Sequence, residues 1–131
     1  MQFAKEKIGF LGISFKGGTD DLRNSPIVDV IEILLGKGFD IRIYDRNVRL
    51  AELMGSNKEY IIKKIPYISK FIVDNLEQII DHAEVIVVVN KEAEFSDILN
   101  LVPAHKIIYD LVNIDFKNKS KMKNYTGIAW Y

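Results

Sequence analysis

At 131 residues, 48% of them hydrophobic and 27% charged, the chain has the size and apolar content of a single domain (residues 1–131) able to bury one core. Eighteen basic residues balance eighteen acidic ones, which argues against a general nucleic-acid binder, and the absence of cysteine excludes disulfides, thiolate metal sites and a cysteine nucleophile within this chain. The opening MQFAKEKIGF has no apolar signal-like run, and no segment approaches the ~20 apolar residues that span a bilayer, so a soluble cytoplasmic domain is expected.

In chain order, Lys7–Phe15 reads as a first strand, thinned by Gly9 and Gly12. A polar, Gly-rich turn follows, and Ser25-Pro26 opens a helix, with Ser25 as N-cap and Pro26 in the first turn. Its apolar stripe is Ile27, Val28, Val30, Ile31, Leu34 and Leu35, and Gly36 and Gly38 end it. Asp40–Asp45 alternates like a strand, so a parallel right-handed βαβ unit is expected. Asn47–Met54 reads as a short helix, and Ser56-Asn-Lys-Glu59 as a capping box opening another that Pro66 closes. Phe71–Val73 reads as a short strand, and Asp74-Asn-Leu-Glu77 as the cap of a helix running to His82.

Val85–Val89 is β-branched without alternation, the mark of a strand buried on both faces. Glu94–Leu101 reads as a helix that Pro103 ends, Lys106–Leu111 as a strand, and Thr126–Trp130 as a last edge strand. The basic cluster Phe116–Asn124 reads as a solvated connection. Strands alternating with helices predict an α/β fold, a three-layer Rossmann-like domain with a mainly parallel sheet.

The corner between the first strand and first helix is where such sheets bind ligands, because backbone N–H groups and the helix N-terminus converge there. It fails as a dinucleotide fingerprint: Gly9 and Gly12 are followed by Gly17-Gly18, not by the G-x-G-x-x-G spacing. It also fails as a P-loop, since Gly18 stands where the lysine belongs. Lys16 reads either as an ammonium aimed at a ligand phosphate or hydroxyl, or as an exposed loop lysine. Arg23 precedes a helix whose dipole disfavours a cation, so it meets either an anionic ligand or Asp20 or Asp21. Asp45 ends the second strand, where an acid either meets a ribose hydroxyl or caps the following turn. His82 and His105 are isolated, without metal-ligand spacing, and read as surface or helix-end residues. No nucleophile–base set and no paired carboxylates stand out, so the residues themselves favour a binding domain over a catalyst, a stand-alone nucleotide-binding module included.

GISFKGGTDDLRNSPIVDVIEILLGKGFDIRIYDRNV resembles the start of the C-terminal nucleotide-binding domain of the UDP-glucose/GDP-mannose dehydrogenases, whose pattern is G-x-x-FK-x-x-T-D-D-x-R-x-S-P, then a helix, then a strand ending in Y-D. GSNKEYIIKKIPYISKFIVDNLEQII is similar to the GDP-mannose branch, so the resemblance covers nearly the whole chain. Two departures, Asn24 where the family commonly has Glu and VVVNKEAEF where the UDP-glucose branch tends to a T-E-W-type motif, speak against UDP-glucose.

The resemblance implies a C-terminal domain of a larger, NAD-dependent, homo-oligomeric enzyme. That enzyme oxidises the sugar C6 alcohol of GDP-mannose, or alternatively of UDP-glucose or another UDP-sugar, to a carboxylate through a catalytic cysteine. Without that cysteine the chain alone is expected to be inactive, contributing no catalytic residue and no metal ligand. By the same resemblance Phe15 and Lys16 line the nucleotide-sugar site, Asp45 lies near the nucleotide, and Arg23 reaches the NAD, which is held mainly by an N-terminal domain.

Overall fold

An unbroken run of apolar residues and glycine, Ile8 to Leu11, has no polar face to offer water, and it lies in the interior of a sheet. In the computed structural model, which describes residues 6–13, 26–46, 68–116 and 119–127, β1 (Lys7–Leu11) sits between β2 (Asp40–Tyr44) and β3 (Val85–Val88). β4 (Ile107–Asp110) pairs with β3, and β5 (Tyr125–Gly127) with β4. The five strands run in the order β2-β1-β3-β4-β5. Every ladder is parallel, so the expected mainly parallel Rossmann-like sheet is observed in its fully parallel form.

The helices make the outer two layers. α1 (Pro26–Gly36) covers one face, burying Val28 and Ile31 against Ile8, Phe10, Ile41 and Ile43. α2 (Leu76–His82) and α3 (Ala93–Leu99) cover the other, where Leu76, Ile79, Phe95 and Leu99 meet Leu11, Ile86, Val88 and Ile108. The strand period of two sends Ile8 and Phe10 to α1 and leaves Gly9 beneath α2. A Cβ on Gly9 would stand 2.6 Å from Ile79 Cγ2 and 3.0 Å from the Ala83 Cβ, so glycine lets α2 settle directly on β1. Each fully buried large apolar side chain in these two cores contributes about 1.5–3 kcal/mol.

Element ends show what the pattern leaves open. β1 stops at Leu11, not Phe15, because the chain turns at Gly12 with φ +97°. The cap of α2 is Asn75, one residue beyond the expected Asp74. Its side chain accepts from the Gln78 N–H at 3.0 Å, and the Gln78 amide oxygen accepts from the Asn75 N–H at 3.2 Å, a reciprocal capping box. The Lys106 ammonium donates to the Ile80 carbonyl in the last turn of α2, where a cation complements the helix dipole. The expected strand at Phe71–Val73 is a 3₁₀ turn (Ile68–Phe71) followed by one parallel bridge, Ile72 to Ile43.

α3 begins at Ala93 and ends at Leu99, where Leu101 turns off with its N–H on the Ile98 carbonyl. β4 ends at Asp110, one residue short of the expected Leu111, and the edge strand β5 begins at Tyr125. The helices expected over Asn47–Met54 and after Ser56 lie outside the described residues. Among the described residues, no helix is long and apolar enough to cross a membrane.

Candidate functional site

From β1 the chain passes over one face of the sheet to β2 and returns over the opposite face to β3, so the connections part company between β1 and β3. Beyond the carboxyl ends of two such strands a crevice opens that open α/β sheets use for ligands. In this chain it is built from Gly12 and Ile13 after β1, Asp45 after β2, and Val89 and Asn90 after β3.

Hydrogen bonds tie these strand ends together. The Gly12 N–H donates to the Tyr44 carbonyl at 2.7 Å, and the Leu11 carbonyl accepts from Val89 N–H at 3.0 Å and Asn90 N–H at 3.4 Å. Asp45 is 2% exposed, and its Oδ2 accepts from the Ile13 N–H at 3.0 Å and from the Asn90 side-chain amide at 3.3 Å. The carboxylate oxygen is the acceptor and the amide nitrogen the donor, which sets the end of the Asn90 amide that faces it. Asn90 is itself 4% exposed. A buried carboxylate is costly unless it is hydrogen-bonded, and here the donors come from the two other strands of the corner.

On the α2–α3 face of the same edge, Tyr44 stands edge-on to Phe95 with ring centroids 6.3 Å apart, and its hydroxyl lies 3.4 Å from Glu94 Oε2. Burial, and then the Glu94 carboxylate, push the Tyr44 hydroxyl above its ordinary range. Burial likewise raises Glu94, against the pull of Arg46, and among the described residues its buried Oε1 has no hydrogen-bond partner.

A second polar knot closes the carboxyl end of β4. Asp110, fully buried, accepts from the Val112 and Ile114 N–H groups at 2.9 Å each and from the Tyr125 hydroxyl. Burial, and then that carboxylate, raise the Tyr125 hydroxyl far above the usual phenol range. Between the two amides Asn113 takes a left-handed φ of 55°. The Lys119 ammonium donates to Asn113 Oδ1 at 2.6 Å and to the Ile114 carbonyl at 2.9 Å, and stands 5.2 Å from the centre of the Tyr125 ring. Part of the basic cluster read as a solvated connection is thus packed into the fold: Phe116 is buried and Lys119 is bonded.

Of the sequence-predicted site residues, Asp45 lies at the switch point, while Phe15, Lys16 and Arg23 fall outside the described residues. Asn90 was legible only as part of a departure from a motif, although a polar residue directly after a continuous apolar strand is a signal that a strand end faces something polar. His82 ends α2 with Nε2 3.2 Å from Asp40 Oδ2, an ion-pair distance without hydrogen-bond alignment, and His105 is exposed. Among the described residues, no group of three potential metal ligands comes together.

Known proteins share this fold and much of this sequence. The chain is 45% identical to GDP-mannose 6-dehydrogenase of Pseudomonas putida over 126 residues, 96% of this chain and 29% of that protein. It is 32% identical to UDP-N-acetyl-D-mannosamine dehydrogenase of Pyrococcus horikoshii over 82% of this chain and 22% of that one. The crystal structure of a ternary complex of GDP-mannose dehydrogenase from Pseudomonas aeruginosa superposes with a TM-score of 0.85 at 43% identity, covering 96% of this chain and 28% of that one. The chain thus spans less than a third of the length of these relatives. With residues 9–117 matching the UDP binding domain of the UDP-glucose/GDP-mannose dehydrogenase family, the chain belongs to that family.

Proposed function

We propose that this chain is the nucleotide-sugar-binding domain of an NAD-dependent GDP-mannose 6-dehydrogenase, which oxidises the sugar C6 alcohol to a carboxylate for polysaccharide precursor synthesis in the cytoplasm. The observation that carries the reading is the 45% identity to a GDP-mannose 6-dehydrogenase across 96% of this chain. The corner at the switch point supports it, since parallel sheets take nucleotides beyond the carboxyl ends of their strands.

Within that reading Phe15 and Lys16 hold the nucleotide sugar, Lys16 through an ammonium on phosphate or hydroxyl oxygen. Asp45 stands at the nucleotide end of the same corner, and Arg23 reaches toward the NAD. The sequence has neither a G-x-G-x-x-G loop nor a cysteine, so the main cradle of the dinucleotide and the covalent thiol belong to the rest of a homo-oligomeric enzyme. NAD, when bound, accepts hydride; this domain binds and orients what is oxidised.

The test is NADH formation by the full-length enzyme that carries this chain, with GDP-mannose compared against UDP-glucose. GDP-mannose is expected to be preferred. Lys16→Ala is expected to lower kcat/KM for the sugar nucleotide roughly ten- to a hundred-fold, the loss of one charge-assisted hydrogen bond, with the KM for NAD⁺ little changed. Preference for a UDP-sugar would move the assignment to that branch of the family. Nucleotide binding without oxidation of any nucleotide sugar would make this a stand-alone binding module.

A further inference from the structure

We propose that Asn90 is a positioning residue of the nucleotide-sugar site: together with Asp45 it latches the exit of β1, and so sets the direction in which the chain leaves the sheet toward Lys16. The inference rests on the function proposed above and names a residue that the sequence pattern does not single out.

Three observations converge on it. First, the Asp45 carboxylate from β2 and the Asn90 amide after β3 meet over the end of the strand between them, and the Ile13 N–H joins the same carboxylate oxygen. Second, the amide occupies space that only glycine leaves free. A Cβ on Gly12 would stand 2.5 Å from Asn90 Nδ2, and Gly12 holds φ +97°, a conformation that favours glycine. Third, the backbone of Asn90 is clamped to the same strand end, with its N–H on the Leu11 carbonyl. Side chain and backbone of one residue thus grip β1 at its last carbonyl, at the turn and, through Asp45, at the next amide.

Two buried polar side chains at this edge, bonded to each other and to backbone rather than turned to solvent, fix geometry. Lys16 follows Ile13 by three residues in the sequence, and a double variant tests whether the latch acts through it. Displacements of about 1 Å in a positioning group can cost on the order of a hundred-fold in rate. Asp45 in this arrangement serves the nucleotide through the backbone it holds.

The experiment uses the full-length enzyme with Asn90→Ala, Asp45→Ala, Lys16→Ala and the double variant Asn90→Ala/Lys16→Ala. Two readouts are taken: hydrogen exchange at the Ile13 amide, and kcat/KM for GDP-mannose and for NAD⁺. The latch requires exchange at Ile13 at least tenfold faster in Asn90→Ala and Asp45→Ala, while the amides of β3 and β4 keep their protection. It also requires kcat/KM for GDP-mannose to fall about tenfold in Asn90→Ala, and by less than twofold when the same change is made in the Lys16→Ala background. A merely structural Asn90 would lower the melting temperature and give effects that multiply with those of Lys16→Ala; that result overturns the proposal, as does unchanged exchange at Ile13. An enzyme that oxidises no nucleotide sugar would defeat the assigned function instead, and the exchange measurement would still decide whether Asn90 and Asp45 hold the exit of β1.

Discussion

Two aspartates close parallel strands in this sheet, Asp45 just after β2 and Asp110 at the end of β4, and both are buried. They are held in opposite ways. Asp110 takes its backbone donors from residues two and four positions on, Val112 and Ile114, so its turn forms almost entirely from local chain, with the Tyr125 hydroxyl added from the neighbouring strand. Asp45 takes two donors from residues 32 and 45 positions away, Ile13 and Asn90, and those two bonds exist only once β1, β2 and β3 lie side by side. A locally satisfied carboxylate shapes one turn. A carboxylate bonded across three strands reports, and fixes, how those strands sit at the carboxyl edge of the sheet.

The largest expected effect follows from the tighter of the two knots. Asp110→Ala leaves two backbone N–H groups and the Tyr125 hydroxyl without their acceptor, which should cost on the order of 3–5 kcal/mol, read as a drop in denaturant midpoint. Asp45→Ala should cost less stability and more substrate turnover. If the order of the two stabilities is reversed, the division into a structural and a positioning aspartate fails.

Gly12→Ala tests the crowding beneath the Asp45 network. The new Cβ would meet the Asn90 amide at 2.5 Å on a backbone with φ +97°, so a loss of about 2 kcal/mol is expected. Gly36 is the control: a Cβ there meets nothing within 4 Å, and Gly36→Ala at the end of α1 should be neutral or stabilise by up to about 1 kcal/mol. Equal thermal shifts in the two variants would mean that Asn90 moves aside freely, and that the corner is looser than its contacts suggest.

Much of this fold was legible in the sequence. The VIVV core of β3, the start of α1 at Pro26 and the alternation of β2 are strong because each depends on chain-local pattern, while the expected Ser25 cap lies outside the described residues. What pattern could not supply was the place where a strand stops when stopping depends on a neighbour. β1 ends at Leu11 because Gly12 must turn beside Asn90, a residue 78 positions later in the chain, and periodicity carries no trace of that. Asp110 and Lys119 are hidden in the sequence for the same reason: a charged residue at a strand end or in a basic cluster looks like solvated surface until the Tyr125 hydroxyl donates to the one and the Ile114 carbonyl accepts from the other. Asp45 is legible from its place after β2, but its bonds to Ile13 and Asn90 are not, because both partners lie on other strands.

Tyr125 offers a titration that probes the Asp110 knot alone. Burial, and then the Asp110 carboxylate, raise its hydroxyl well above the unfolded value of about 10. A phenol whose folded pKa is raised keeps its proton in the native state after the unfolded chain has released it. Its contribution is therefore complete below pH ~10 and is lost as the pH climbs above that value. Tyr125→Phe should lower the melting temperature at pH 7 by the loss of one hydrogen bond to a carboxylate, and should flatten the decline of stability above pH 10. An unchanged alkaline slope in the variant would assign that decline to other groups and separate Tyr125 from Asp110.

Glu94 is the third carboxylate at this edge and the least well served, which makes it the finest test of the contrast. Among the described residues, its Oε2 has the Tyr44 hydroxyl at 3.4 Å and its Oε1 is buried without a hydrogen-bond partner. Burial raises its pKa, so the native state holds its proton more tightly than the unfolded chain does. The sign then runs opposite to that of a paired carboxylate: stability falls as the pH rises from the unfolded value, near 4.3, through the raised folded one. Glu94→Gln removes the charge while keeping the shape and an acceptor for Tyr44. Stability at pH 7 should rise by a few tenths to about 1 kcal/mol, and part of the slope between pH 4 and 7 should disappear. Asp45→Asn, by contrast, should destabilise, because there the charge is matched by donors. If both neutral substitutions move stability in the same direction, the distinction between carboxylates held by their charge and one merely tolerating it does not hold at this edge of the sheet.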